Sequence, residues 1–184
     1  RITLWGFSMG GAGAWHLGLH HPSLWSSVGA GAGFVDFYTY QKQTELRPPH
    51  QHHLLHIYDA VDYALNADNV PVITYGGEKD AQLLASTMCV AAAKKYGVNI
   101  AQLIGPGMGH KFDPESLEKF MEFHRLHSQT GRPALPGQKE IRFITYSLKY
   151  NRCEWLTIEE MPLVYQPATV TSEVVADDTL KVTT

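Results

Sequence analysis

Charged residues are scarce in this chain. Asp, Glu, Lys and Arg make up 18% of its 184 residues, while 44% are hydrophobic. That balance excludes a disordered polyelectrolyte and supplies enough apolar surface for a packed core. A basic surplus is also missing, since fifteen Lys+Arg face eighteen Asp+Glu for a formal charge of −3. The single adjacent basic pair, Lys94-Lys95, offers no electrostatic footprint for nucleic acid or an anionic membrane. No apolar run approaches the roughly 18 residues of a membrane span. Cys89 and Cys153 are the only cysteines, too few for a disulfide framework and without metal-ligand spacing. The first residue is Arg1, and the apolar stretch Ile2-Thr3-Leu4-Trp5 follows at once. Natural ends usually fray at the surface, so a fragment cut from a longer chain is expected, with any signal peptide lost and the compartment undetermined.

What is present is an alternation of strand and helix patterns. Ile2 to Phe7 suits a strand buried on both faces, Met9 to about His20 a helix lying close to a sheet, and Ser27 to Gly33 a second strand. Phe34 to Asn69 is a long polar and aromatic connection with helix expected near His56 to Leu65, and connections of that length tend to be lids or binding loops. Val70 to Tyr75 is a third strand. Ala81 to Tyr96 follows as a helix with Leu84, Met88, Ala91 and Ala92 on its inner face, Lys94 and Lys95 on its dipole end and Gly97 as cap. Val98 to Ile104 is a fourth strand, and a glycine loop leads to His110. Asp113 as N-cap, Pro114 at N1 and a Phe112–Leu117 staple start the last helix, whose shared face is Leu117, Phe120, Met121 and His124. The expected fold class is α/β, with a mostly parallel sheet over residues 1–129. Residues 130–139 read as a linker. Residues 140–184 read as a small antiparallel β segment, pairing 141–149 with 154–158 and 169–175 with 179–183.

The chemistry gathers at three positions. Gly6-Phe7-Ser8-Met9-Gly10 has the G-x-S-x-G form, and its strand–turn–helix context holds a serine on a strained turn with its hydroxyl above the sheet. Glycines flank the turn because side chains there would collide with strand and helix. The Met9 backbone N–H then faces a developing oxyanion, aided by the helix dipole. A serine needs a base, and the base needs an orienting acid, which follow in the order acid then histidine. Asp80 after the third strand and His110 after the fourth satisfy that order at carboxyl strand ends, where ligands bind in open α/β sheets. Rival roles stay open: Ser8 as a helix cap, Asp80 as a cap of the next helix, and Glu78 or Asp36 as the acid. Among ten histidines, His16, His20, His21, His124 and His127 fall on helices, where core or surface roles are commoner. His50, His52, His53 and His56 invite a zinc reading, but no carboxylate or cysteine completes a ligand set, so no metal is expected. Trp155 and Tyr146 are expected to form a cross-strand pair.

With these residues in view, the chain resembles the prolyl-oligopeptidase type of α/β-hydrolase serine peptidases. The resemblance rests on Gly6-Phe7-Ser8-Met9-Gly10-Gly11, on Gly77-Glu78-Lys79-Asp80 after a strand, and on Gly109-His110 in a loop before the last helix. It spans residues 1–129, about the C-terminal half of such a catalytic domain. It implies Ser8 as nucleophile, Asp80 as orienting acid, His110 as general base, an acyl-enzyme and no cofactor. Two departures stand out: the β segment 140–184 follows the final helix, and the first strands and the loop giving the second oxyanion donor are missing. Peptide cleavage is the leading expectation. A carboxylesterase or carbohydrate esterase with the same residues is the next, and a non-catalytic binding protein on the same fold the third. Peptide or ester substrates are the expected partners, nucleic acid is not, and the oligomeric state is unread.

Overall fold

Strands that are apolar on both sides must be covered on both sides. The structure, a computed structural model describing residues 1–184, meets that demand with a four-stranded parallel sheet. Its elements are β1 (Thr3–Phe7), α1 (Met9–His20), β2 (Ser27–Gly31), α2 (Phe37–Gln41), α3 (Pro49–Leu55), a 3₁₀ stretch (Ala60–Asn69), β3 (Val72–Gly77), α4 (Leu83–Lys95), β4 (Ala101–Gly105) and α5 (Pro114–Thr130). The strands lie in the order β1-β2-β3-β4. Val28, Ala30 and Val72 pack on one face with Trp15 and Leu19 of α1 and Cys89 and Ala93 of α4. Ile73 and Tyr75 pack on the other with Phe120 of α5. Fully buried Trp15 and Leu19 each contribute about 2–3 kcal/mol of apolar transfer. The register aligns Phe7 with Gly31, Gly31 with Tyr75 and Gly77 with Gly105. All four strands therefore deliver their following loops to one edge.

Three local expectations need correction. The connection before β3 is helical over 37–41, 49–55 and, as 3₁₀ turns, 60–69, so the helix expected at 56–65 is met only over 60–65. In α4 the buried residues are Ala85, Ser86, Cys89 and Ala93, and Leu84 is exposed; small side chains let the helix lie close, so bulk did not mark the inner face. At α5 the Asp113 cap and Pro114 are as expected, with the Ser116 N–H donating to Asp113 Oδ1 at 2.9 Å. Phe112, however, packs inward on Tyr75 and Phe120, while Leu117 and Met121 stay part-exposed.

Beyond α5, of the two expected pairings, 169–175 with 179–183 is present and 141–149 with 154–158 is not. β5 (Glu140–Thr145) pairs antiparallel with β8 (Ala168–Ala176), which pairs with β9 (Thr179–Thr183) through a bulge. β6 (Arg152–Cys153) and β7 (Leu156–Thr157) form a separate two-residue hairpin. Register between segments this far apart depends on the shared core, which a local pattern does not encode. Tyr146 accordingly stacks on His56, with ring centroids 5.0 Å apart, and Trp155 donates its indole N–H to the Gln138 carbonyl at 2.9 Å; they form no pair. The other edge of β5 meets the 3₁₀ stretch. The buried Asn66 amide accepts the Ile144 N–H at 2.8 Å and donates to the Ile144 and Leu19 carbonyls at 2.9 Å. Ile144 and Tyr150 join the Trp15 cluster. In the 130–139 stretch, Arg132 reaches the Pro22, Trp25 and Asn69 carbonyls and pairs with Glu154. No helix is long and apolar enough to cross a membrane.

The glycines around the first turn are unequal. A Cβ on Gly11 would overlap the Gly31 carbonyl oxygen, and one on Gly6 the Gly10 backbone, whereas one on Gly10 meets nothing within 4 Å. Gly11→Ala is expected to cost about 2–3 kcal/mol by overpacking, and Gly10→Ala to be neutral or slightly stabilising. Urea unfolding of both variants checks the contrast.

Burial among Phe120 and Phe123 pushes His124 down from 6.5 to about 4, with His127 adding repulsion. The unfolded chain therefore binds this proton at a higher pH than the folded one. The His124 contribution is complete above about pH 6.5 and is lost as pH falls toward 4. The stability-versus-pH slope across that window is expected to be shallower in His124→Gln than in the wild type, measured by denaturant titration.

Candidate active site

The turn between β1 and α1 is set by how closely α1 approaches the sheet. Ser8 donates its backbone N–H to the Gly31 carbonyl at 2.8 Å, and its own carbonyl accepts from Ala12 at 3.0 Å. Held between those bonds, Ser8 adopts φ 59° and ψ −119°, a backbone state that costs a non-glycine residue about 1–3 kcal/mol. Its hydroxyl makes no capping bond to α1. The side chain points to His110, with Oγ 2.8 Å from Nε2.

The other face of the imidazole meets Asp80, with Nδ1 2.7 Å from Oδ2. An ionised carboxylate only accepts, so the arrangement places the ring proton on Nδ1 and leaves Nε2 to accept the serine proton. The Asp80 side chain is 6% exposed and the His110 side chain 46%, so the acid is shielded and the ring open to solvent. Asp80 does not cap α4, whose N-cap is Gln82 without a side-chain capping bond; its Oδ1 accepts the Gln82 N–H at 3.0 Å in the turn before that helix. The other carboxylates are occupied elsewhere. Asp36 caps α2 through the Thr39 N–H at 2.9 Å, and Glu78 accepts the Gly107 N–H at 2.6 Å.

The His110 loop is packed hard against the end of β3. Backbone bonds run from the Glu78 N–H to the Gly105 carbonyl at 2.9 Å and from the Lys79 N–H to the Met108 carbonyl at 2.8 Å. A Cβ on Gly77 would overlap the Gly109 and Met108 carbonyl oxygens. Phe7 flanks the imidazole, with ring centroids 5.0 Å apart.

A cavity of about 200 Å³ opens beside Ser8, bounded by Met9, Ala32, Phe34, Tyr40 and Gln82. Phe34 and Tyr40 stack at 3.9 Å and give it an aromatic wall. Sequence reasoning marked the 34–69 connection as a binding loop without singling out these two; their signal was the aromatic cluster directly after β2. Met9 stands at the first position of α1, where helix geometry leaves N–H groups without intrahelical partners. A larger cavity of about 600 Å³ lies elsewhere, near His21, Arg132 and Trp155, and its Arg132 guanidinium is engaged by Glu154 and backbone carbonyls.

The remaining histidines have other company. His56 Nδ1 is 2.7 Å from Asp62, which raises its pKa, and His52 Nδ1 is hydrogen-bonded to the Tyr38 hydroxyl at 3.1 Å. His20 is buried, with its ring nitrogens 2.6 and 3.1 Å from the His16 and Ile57 carbonyls, and burial pushes it down to about 3.

The family profile described as Prolyl oligopeptidase family matches residues 1–128. A comparison with curated proteins finds no match. Among solved structures, the chain is similar to a puromycin-hydrolyzing peptidase of Mycobacterium tuberculosis, at TM-score 0.58 and 16% identity, covering 71% of this chain and 22% of that one. It is similar to dipeptidyl peptidase 4 of Porphyromonas gingivalis, at TM-score 0.56 and 16% identity, covering 70% and 19%. A ferulic acid esterase aligns at TM-score 0.51 and 18% identity, covering 67% and 51%. The chain thus spans about half of the esterase and about a fifth of each peptidase. At these identities the likeness is one of fold, and that fold is the α/β-hydrolase type, here with the small antiparallel sheets added.

Proposed function

The chain belongs to the prolyl oligopeptidase family, and from that premise we propose that it is a serine hydrolase cleaving peptide bonds through Ser8, His110 and Asp80. The observation that carries the reading is the unbroken hydrogen-bonded row from Ser8 Oγ through the imidazole to Asp80, at 2.8 and 2.7 Å. Ser8 Oγ attacks the substrate carbonyl carbon while its proton passes to His110 Nε2. Asp80 keeps the ring oriented and stabilises the imidazolium that forms. The Met9 N–H at the start of α1 stabilises the oxyanion, with the helix dipole behind it. His110 then returns the proton to the departing amine as the carbon–nitrogen bond breaks, leaving an acyl-Ser8 ester. Water, deprotonated by the same imidazole, releases the acid and restores the serine. The aromatic wall of Phe34 and Tyr40 suits an apolar group next to the reacting carbonyl. The row needs no cofactor for this chemistry.

An ester substrate would use the same atoms, and the fold neighbours include a ferulic acid esterase beside two peptidases. Peptide cleavage is preferred because the matched family is a peptidase family.

Labelling with a fluorophosphonate is expected to give one covalent adduct by intact mass, absent in Ser8→Ala and His110→Ala. Asp80→Asn is expected to keep the fold and lower kcat about 10⁴-fold, because the amide favours the wrong imidazole tautomer. Turnover of aminoacyl amides sets the peptidase apart; turnover of aryl esters alone would move the assignment to esterase. No adduct on a folded, monodisperse protein would overturn the reading.

A further inference from the structure

The loop that carries His110 is rich in conformational freedom. Gly105, Gly107 and Gly109 fall within five residues, Gly107 has φ 64°, and the ring at its tip is open to solvent. Main-chain bonds from Glu78 and Lys79 tie down Gly105 and Met108, but Gly107 and the residues after His110 are held by side chains. Two side chains from the end of β3 grip the loop on either side of His110.

On the entering side, Glu78 accepts the Gly107 N–H at 2.6 Å, a short charge-assisted bond. On the leaving side, the Tyr75 hydroxyl donates to the Lys111 carbonyl at 2.8 Å and accepts the Asp113 N–H at 3.3 Å. Tyr75 is fully buried and stacks on Phe112 at 4.1 Å, so its hydroxyl is a fixed post. The fit is tight, because a Cβ on Gly105 would overlap that hydroxyl. Glu78, Asp80 and Tyr75 thus leave one strand end and reach the loop before, at and after the imidazole.

We propose that Tyr75 and Glu78 are positioning residues that clamp the His110 loop from both sides and hold the imidazole in reach of Ser8. The proposal rests on the reading of Ser8, His110 and Asp80 as the reacting groups. Neither residue lines the cavity beside Ser8. Their effect is geometric, and misplacing a reacting group by about 1 Å is enough to cost about 10²-fold in rate. Glu78 therefore has a role other than that of an alternative acid: its carboxylate serves as a hydrogen-bond acceptor for the backbone.

The test compares Tyr75→Phe, Glu78→Ala and Glu78→Gln with the wild type in two measurements. One is the rate of fluorophosphonate labelling; the other is amide hydrogen exchange across residues 105–113, which needs no activity. Tyr75→Phe keeps the stacked ring, and Glu78 is exposed, so folding is preserved. Tyr75→Phe and Glu78→Ala are expected to label about 10- to 100-fold more slowly with faster exchange across the loop. Glu78→Gln, whose amide oxygen still accepts the Gly107 N–H, is expected to recover most of both. Wild-type rates and exchange in all three variants would overturn the clamp. So would a Glu78→Gln as slow as Glu78→Ala with exchange unchanged, since the charge alone would then matter. Failure of the wild type to label at all would overturn the hydrolase reading instead. The exchange pattern would still decide the clamp, faster exchange supporting it and unchanged exchange ending it.

Discussion

The geometry around Ser8 depends on one close approach, that of the first turn of α1 to the backbone at the end of β2. The Ser8 N–H bonds to the Gly31 carbonyl, and side chains on Gly11 or Gly33 would overlap the facing backbone. Helix and sheet meet there through main chain alone. Only at that separation does the chain leave β1 through a left-handed serine. That backbone state lifts the hydroxyl out of the cap position a serine would otherwise favour. The hydrophobic contacts of Trp15 and Leu19 further along α1 supply the burial that holds the strained turn in place.

The opposite side of the site is organised by a single strand end. β3 delivers a tyrosine, a glutamate and an aspartate within six residues, and each meets a different part of the loop after β4. Gly77 between them omits the side chain that would keep the loop away, while Gly76 makes room for Leu83 of α4. Ser8 and His110 come from opposite edge strands of the sheet, and the parallel register brings both to the same end. The geometry is therefore a property of the sheet as much as of the loops.

Much of this was legible from residue order. The strand–turn–helix around Ser8, the loop holding His110 and the Asp113-Pro114 helix start follow from local chemistry, and the structure shows each of them. The parallel sheet followed from alternation. One choice stayed open and two things were out of reach for physical reasons. Strand position favoured Asp80 as the acid, but Asp36 and Glu78 also follow strands, and only side-chain direction separates the one that meets the imidazole. The inner face of α4 is lined by alanine, serine and cysteine, so bulky residues misled the choice of face. The partner of β5 is β8, more than twenty residues away, and such pairing is decided by the shared core.

Asn66 carries a consequence for how the molecule comes apart. One side-chain amide gives Ile144 both a donor and an acceptor, doing with two atoms what a neighbouring strand does with a row. That main chain is satisfied only while the 60–69 stretch is in place, and the same amide also holds the Leu19 carbonyl at the end of α1. Releasing β5 would leave the buried Asn66 amide without both of its Ile144 partners, a penalty of about 1–3 kcal/mol. Local fraying is thereby suppressed at this seam, which ties the antiparallel strands to the helix that follows Ser8.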